Sequence, residues 1–216
     1  MLRRDLLVVV LTATTGALDA VTFIGLGHVF SSVITGNLVL LGVAAGRRSG
    51  VLALSAALAL SGYALGALLG AKSAGTHQDE QPIWPARVTI ALVFELVILA
   101  AFAGVWYGCG SHPAVTPRYF LLFIGATAMG AQSAAVRRLG SMSSTYLTST
   151  LLGLLSALAV GRRPPDWQRG SAVLVMIVAG AAAGSLAMTR LPALVPVVIL
   201  LPLTAVIALT RTLDSR

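Results

Sequence analysis

Four side chains that carry carboxylate or amide groups lie inside apolar segments. Asp19 and Asn37 occur in the stretch TGALDAVTFIGLGHVFSSVITGNLVLLG at 15–42, and Glu95 and Gln132 occur in later segments. A charged group at membrane depth costs about 2.5–3.5 kcal/mol on insertion scales, so it usually faces the protein interior. Such groups point to a proton relay, a cation site, a solute site or hydrogen bonds between helices.

The four groups share one depth in their segments. At 1.5 Å per residue, Asp19 lies roughly 10 Å from the outer end of its segment, and Glu95 and Asn37 lie roughly 12 Å from theirs. Gln132 comes close to the same level. Transporters often hold a solute in such a polar layer at a repeat interface. We therefore expect a substrate site from this layer and its neighbours: Asp19, Asn37, Gln132, Thr150, Arg137, Glu95, Thr35 and Thr148.

Other roles for these side chains stay open. Arg137 and Arg138 can extend to the headgroups, pair with a buried carboxylate, or hold an anionic solute in a planar guanidinium fork. Threonine hydroxyls in apolar helices often bond their own turn. Amides such as that of Asn37 can tie helices together for about 0.6–2 kcal/mol.

The segments that must position these residues are membrane helices. The 216 residues are 57% hydrophobic and 10% charged, with a mean hydropathy of +0.91, whereas soluble domains are roughly 45–50% apolar and about 25% charged. An integral all-α membrane protein follows. Eight segments are long and apolar enough to consider: 6–26, 29–46, 51–71, 87–108, 118–138, 142–161, 170–189 and 193–210. Some, 29–46 and 142–161 among them, are short enough to be re-entrant, so six to eight helices cross or partly cross.

Basic residues set the expected orientation. With a cytoplasmic N-terminus and eight crossings, ten Arg residues fall inside and five Arg or Lys residues fall outside. Because short cytoplasmic loops are enriched in Lys and Arg, both termini are predicted to be cytoplasmic. The lipid bilayer is the expected surroundings of the protein. Arg137 and Arg138 oppose this trend.

The chain repeats itself within one membrane domain, 1–216. GHVFSSVITGNL at 27–38 aligns with GSMSSTYLTSTL at 140–151, and each block is followed by GRR. We predict two parallel repeats, about 6–108 and 118–210, in which Asp19 corresponds to Gln132 and Asn37 to Thr150. Glycine pairs four residues apart recur on two segments and suit close helix packing, across the halves or between copies in a homo-oligomer: Gly66, Gly70, Gly180 and Gly184.

Several functional classes are excluded or left without support. The net charge of +8 comes from small clusters between apolar segments, which argues against nucleic-acid binding. Cys109 is the only cysteine, and the histidines lack metal-ligand spacing, so neither a metal nor a cofactor is expected. No nucleophile and base pair or nucleotide motif is present, so we expect no enzyme.

The motifs resemble a known family. GALDAVTFIGLGHVFSSVITGNLVLLG, with its G-x-x-D-A and T-G-N elements, and GAQSAAVRRLGSMSSTYLTSTLLGL are similar to the YoaK-like family of small bacterial membrane proteins. The resemblance covers nearly the whole chain, although Ser133 stands where that family often has Asn. It implies a polytopic inner-membrane protein and supplies no substrate.

Two functions fit the pattern. The first is a small-solute permease or channel with an intramembrane polar site at the repeat interface. The alternative is a non-transporting scaffold or sensor whose buried polar groups specify helix packing. The solute, the transport direction and the coupling ion have no sequence signature.

Overall fold

The computed structural model describes residues 3–74, 84–139, 147–162, 164 and 166–211, which form eight α-helices and no strand. Each of the eight predicted segments contains a helix. The helices are α1 (Arg3–Val21, continued by the π-helical turn Thr22–Gly27), α2 (Ile34–Gly46), α3 (Gly50–Ala74), α4 (Ala86–Gly108), α5 (Val115–Arg137), α6 (Leu147–Ala159), α7 (Trp167–Arg190) and α8 (Val195–Arg211, preceded by the 3-10 turn Pro192–Leu194). The sequence-based prediction of an all-α membrane protein is confirmed.

Six of the helices are long and apolar enough to cross a membrane, and α2 and α6 are shorter. Each short helix has 13 residues, which reach about 20 Å, whereas the hydrocarbon core is about 30 Å thick. The first residues of the predicted segment 29–46 are not helical, which is why α2 begins only at Ile34. Over their described residues, neither α2 nor α6 is long enough to cross by itself.

Helices α1 and α7 run in the same direction. Gly180 packs against Ala13 and Gly184 packs against Ala17, so residue numbers increase together along both helices. A Cβ atom at either glycine would collide with the backbone of α1. The two helices therefore approach as closely as a small-xxx-small face allows.

Helices α3 and α5 form a matching parallel pair. Gly66 packs against Thr127 and Gly70 packs against Ala131. Adding 114 to the glycine numbers gives Gly180 and Gly184, and subtracting 114 from the partner numbers gives Ala13 and Ala17. These are the two contacts of the α1–α7 pair. The packing predicted for these glycine faces is thus present within the chain, between its two halves, and a homo-oligomer would have to use other faces.

The corresponding helices α1 and α5 run in opposite directions. Leu18 lies beside Gly125, and the Thr15 hydroxyl donates to Oε1 of Gln132 at 2.8 Å. Residue numbers therefore fall along α5 as they rise along α1. The predicted parallel orientation of the halves is wrong. It requires four crossings in each half, but among the described residues only three helices of each half are long enough to cross, and an odd number inverts the second half.

The direction of α2 follows from its neighbours. Helix α1 and the π-helical turn Thr22–Gly27 together form one rod, which we call the α1 rod. Ser55, near the start of α3, lies next to Gly27 at the end of this rod. The chain thus leaves α1 and enters α3 on the same side of the molecule. Between these two helices, residues 28–33 run back into the molecule to the depth of Asp19, where Ser31 and Ser32 bond its carboxylate. Helix α2 then returns to the side where α1 ends. Residues 28–46 are therefore a re-entrant segment.

Helix α6 has the inverted arrangement. Its start at Leu147 lies near Ile177 in the middle of α7, and Leu154 lies near Gly170 at the start of α7. We name face A the side where α1, α4 and α7 end, and face B the side where they begin. Helix α2 opens to face A and α6 opens to face B.

The two short helices also end alike. Arg48 and Gly161 have positive φ angles of 52° and 66°. The next amides, of Ser49 and Arg162, each donate to a carbonyl five residues earlier at 2.9 Å. This is the helix end of a Schellman motif, which needs a left-handed residue after the last turn. The same local structure thus occurs twice, 113 residues apart.

Candidate solute site between the two short helices

Asp19 holds the descending part of the re-entrant segment. One carboxylate oxygen accepts hydrogen bonds from the Ser31 hydroxyl at 2.7 Å and the Ser32 amide at 2.8 Å, and the other accepts from the Ser32 hydroxyl at 2.6 Å. Asp19 is 7% exposed. Because charge-assisted hydrogen bonds are short and strong, this carboxylate fixes where α2 can begin.

Asn37 closes the same segment from the other end. Its amide oxygen accepts from the Phe30 amide at 3.0 Å, and its amide nitrogen donates to the Phe30 carbonyl at 2.6 Å. Both polar groups of one non-helical residue are thereby satisfied inside the protein, as buried backbone requires. Asn37 is fully buried, so its side chain shapes the loop and does not face a cavity.

A cavity of about 310 Å³ lies where the two short helices begin. Thr35 is at the start of α2 and Thr148 is at the start of α6, and both side chains are exposed. The lining residues come from the re-entrant segment, α3, α6 and α7: Ser32, Val33, Ile34, Thr35, Tyr63, Leu147, Thr148 and Ile177. We call this space the central cavity.

The central cavity lies between equivalent positions of the two halves. Tyr63 and Ile177 are 114 residues apart, and Thr35 and Thr148 are 113 apart. Tyr63 is 13 residues, or about 20 Å, from the start of α3, and Ile177 is ten residues, or about 15 Å, from the start of α7. Both positions are near the middle of a membrane crossing.

The electrostatics of the central cavity follow from the helix ends. The first amides of an α-helix lack intrahelical acceptors, and the N-terminus carries roughly half a positive charge. Helix α2 presents such an end here, and the first described turn of α6 lies beside it. No acidic residue is among the described residues that line the cavity. Because the Asp19 carboxylate bonds the lining residue Ser32, its negative charge offsets the helix dipole, and the hydroxyl and apolar lining suits a small uncharged solute.

Gln132 lies outside the central cavity, at the crossing of α1 and α5. It accepts from the Thr15 hydroxyl at 2.8 Å and donates to the Leu11 carbonyl at 3.4 Å. The contacts at a shift of 114 pair Asp19 with Ser133, not with Gln132, so the predicted correspondence was one residue out. The repeat shift is 113 residues between α2 and α6 but 114 between α1 and α5.

The other predicted site residues are separate. Glu95 is fully buried on α4, and neither carboxylate oxygen has a hydrogen-bond partner among the described residues. The Thr150 methyl group packs against Gly170, and Arg137 is exposed at the face-B end of α5. Of the eight predicted residues, only Thr35 and Thr148 line the central cavity.

Sequence reasoning missed three groups of residues. Ser31 and Ser32 bond Asp19, and the Ser-Ser pair before T-G-N was the signal that could have shown it. Tyr63 and Ile177 line the central cavity but look like ordinary helix residues. Third, the Asp5 carboxylate pairs with Arg169 at 2.8 Å on face B.

A second cavity, of about 580 Å³, opens near face A. It is lined by the end of the α1 rod and by parts of α2, α3 and α5, and its polar lining includes Arg47, Arg118, His28, Ser49 and Tyr119. We call it the face-A vestibule.

Comparison with known proteins gives a family but no activity. The model of the family described as "Protein of unknown function (DUF1275)" matches residues 7–210. The UPF0700 transmembrane protein YoaK of Bacillus subtilis (strain 168) is 35% identical over 158 residues, which cover 72% of this chain and 68% of that protein. No solved structure matches.

Proposed function

Because the chain belongs to the DUF1275 family, whose description states no activity, we propose a function from the geometry: a small-solute permease or channel of the bacterial inner membrane. The central cavity carries this proposal. It lies between two re-entrant helices that enter from opposite faces, and its lining combines hydroxyl groups with apolar side chains.

The inverted halves support transport. Inverted repeats related by an axis in the membrane plane occur in many transporters, whose solutes bind near the midplane at the repeat interface. Non-helical backbone at membrane depth is tolerated where it is buried or lines a cavity. Residues 28–33 meet both conditions, since Asn37 bonds the backbone of Phe30 and Asp19 bonds the amide of Ser32, while Ser32 and Val33 border the central cavity.

The distribution of basic residues supports a cytoplasmic face B, and hence cytoplasmic termini. Of the described Arg and Lys residues, nine lie towards face B and four towards face A. Those at face B are Arg3, Arg4, Lys72, Arg87, Arg137, Arg138, Arg162, Arg169 and Arg211, and those at face A are Arg47, Arg48, Arg118 and Arg190. Arg137 and Arg138 follow the positive-inside trend once each half has three crossings.

A flux screen tests the proposal. Purified protein in proteoliposomes should conduct at least one small uncharged or anionic solute above the rate of empty vesicles. Thr35→Leu with Thr148→Leu should lower that rate about tenfold or more, because both side chains enlarge into the central cavity. Thr204→Leu is the matched control, since Thr204 is exposed on α8 and bonds only its own turn. Equal rates for the double variant and wild type would refute the proposal.

The alternative is a scaffold or sensor that moves no solute. The complete internal bonding of Asp19, Asn37 and Gln132 favours it, because such bonds specify helix packing without a ligand. In that case the Thr35→Leu and Thr148→Leu changes should alter thermal stability or partner binding, and no solute in the screen should move.

A further inference from the structure

We propose that the face-A vestibule binds a small oxyanion through Arg118 and Arg47. A carboxylate, a sulfate or a phosphate, free or on a lipid headgroup, has the chemistry that fits. The role of this oxyanion, as a solute or lipid that meets the protein at face A, rests on the proposed function. Its test measures binding and is independent of flux.

The lining of the vestibule is basic and hydroxylated. Two guanidinium groups, the His28 ring and the hydroxyl groups of Ser49 and Tyr119 border about 580 Å³, within the range of sites for small molecules. Of the described residues that line it, none is acidic.

Arg118 is held in position by a backbone carbonyl and has no carboxylate partner among the described residues. Its Nε donates to the Pro113 carbonyl at 2.8 Å, which orients the guanidinium. Within the described part of the chain, neither Arg118 nor Arg47 forms a salt bridge. A guanidinium offers several donors in a planar fork that matches carboxylate and phosphate oxygens, so the terminal nitrogens are available for a ligand.

The equivalent position in the other half, at face B, has its basic side chains paired with a carboxylate of the protein itself. At a shift of 114, Arg118 corresponds to Arg4 and Tyr119 to Asp5. At face B the Asp5 carboxylate lies 3.9 Å from Arg4 and 2.8 Å from Arg169. At face A the position of that carboxylate holds a phenol. The protein thus supplies its own carboxylate at face B and none at the equivalent position of face A. This arrangement is expected if an external anion binds at face A.

Calorimetric titration of the whole protein in detergent tests this, with sodium phosphate, sulfate and acetate as probes at constant ionic strength. We expect saturable binding that weakens about tenfold in Arg118→Gln and in Arg47→Gln, since each variant removes a charge-assisted hydrogen bond to the anion. Arg48→Gln and Arg190→Gln are the controls, because both lie on face A outside the vestibule. Equal losses in the controls would overturn the proposal.

A lipid arm separates the two sources of the oxyanion. Mass spectrometry of protein from phosphatidylglycerol nanodiscs should show a retained lipid if a headgroup is the ligand, and Arg118→Gln should lose it. Phosphate binding in detergent without lipid retention identifies a free anion instead. The absence of both phosphate binding and lipid retention would overturn the site. Binding without flux would leave the site standing and refute only the permease.

Discussion

Asp19 and Asn37 show how buried polar residues can be found from sequence while their role is missed. Their types and depth were enough to single them out. Their partners are the hydroxyl and backbone groups of residues 30–32, and these bonds exist only because the chain turns back into the membrane. Neither periodicity nor composition encodes that turn. The polar pair therefore supports a site that other residues line.

Replacing Asp19 should weaken the fold. Asp19→Ala removes the acceptor of three hydrogen bonds and leaves buried donors on Ser31 and Ser32, so the free energy of unfolding should fall by about 2–4 kcal/mol. Thermal unfolding in detergent measures this. Ser32→Ala should lose part of the same stability, whereas Ser61→Ala, at an exposed position that bonds only its own turn, should change it by less than about 0.5 kcal/mol. An Asp19→Ala protein as stable as wild type would contradict the supporting role.

At the scale of elements, the sequence predicted all eight helices but not their directions. The segments 29–46 and 142–161 were recognised as short, yet apolar composition is the same for a crossing and for a re-entrant segment. Only contacts decide, such as Ser55 beside Gly27. The glycine pairs were visible in sequence, and the structure adds which helices they join.

Glycine substitutions test the close helix pairs. Gly66→Ala and Gly180→Ala place a Cβ atom against the backbone of Thr127 and Ala13, so each should lower the free energy of unfolding by about 1–3 kcal/mol. Gly104→Ala has open space around it and should be neutral or stabilise α4 by about 0.5–1 kcal/mol. Thermal unfolding of the three variants measures the difference. Similar losses at all three positions would argue against the two packed pairs.

For the whole molecule, the short helices α2 and α6 leave three crossings in each half, and this odd number reverses the predicted relation between the halves. Three crossings, α1, α3 and α4, are matched by α5, α7 and α8 in the opposite sense. The number of crossings fixes the parity of a membrane repeat, and sequence hydropathy could not separate three from four.

Cysteine labelling tests the topology in intact cells. In a Cys109→Ser background, Arg48→Cys on face A should react with a membrane-impermeant maleimide, while Arg137→Cys and Arg162→Cys on face B should react only after permeabilisation. Eight crossings would instead place positions 48 and 162 together and position 137 opposite. Position 162 labelled on the same side as position 48, and opposite position 137, would contradict the inverted arrangement whichever face is cytoplasmic.

The most direct measurement is solute flux through proteoliposomes that contain Thr148→Cys in the Cys109→Ser background, before and after methanethiosulfonate modification. If the solute crosses through the central cavity, modification should lower the flux about tenfold or more, and reduction of the mixed disulfide should restore it. Thr204→Cys, on the exposed face of α8, should conduct equally in both states. Full modification of Thr148→Cys with unchanged flux, or no flux for any solute, would contradict passage through the central cavity.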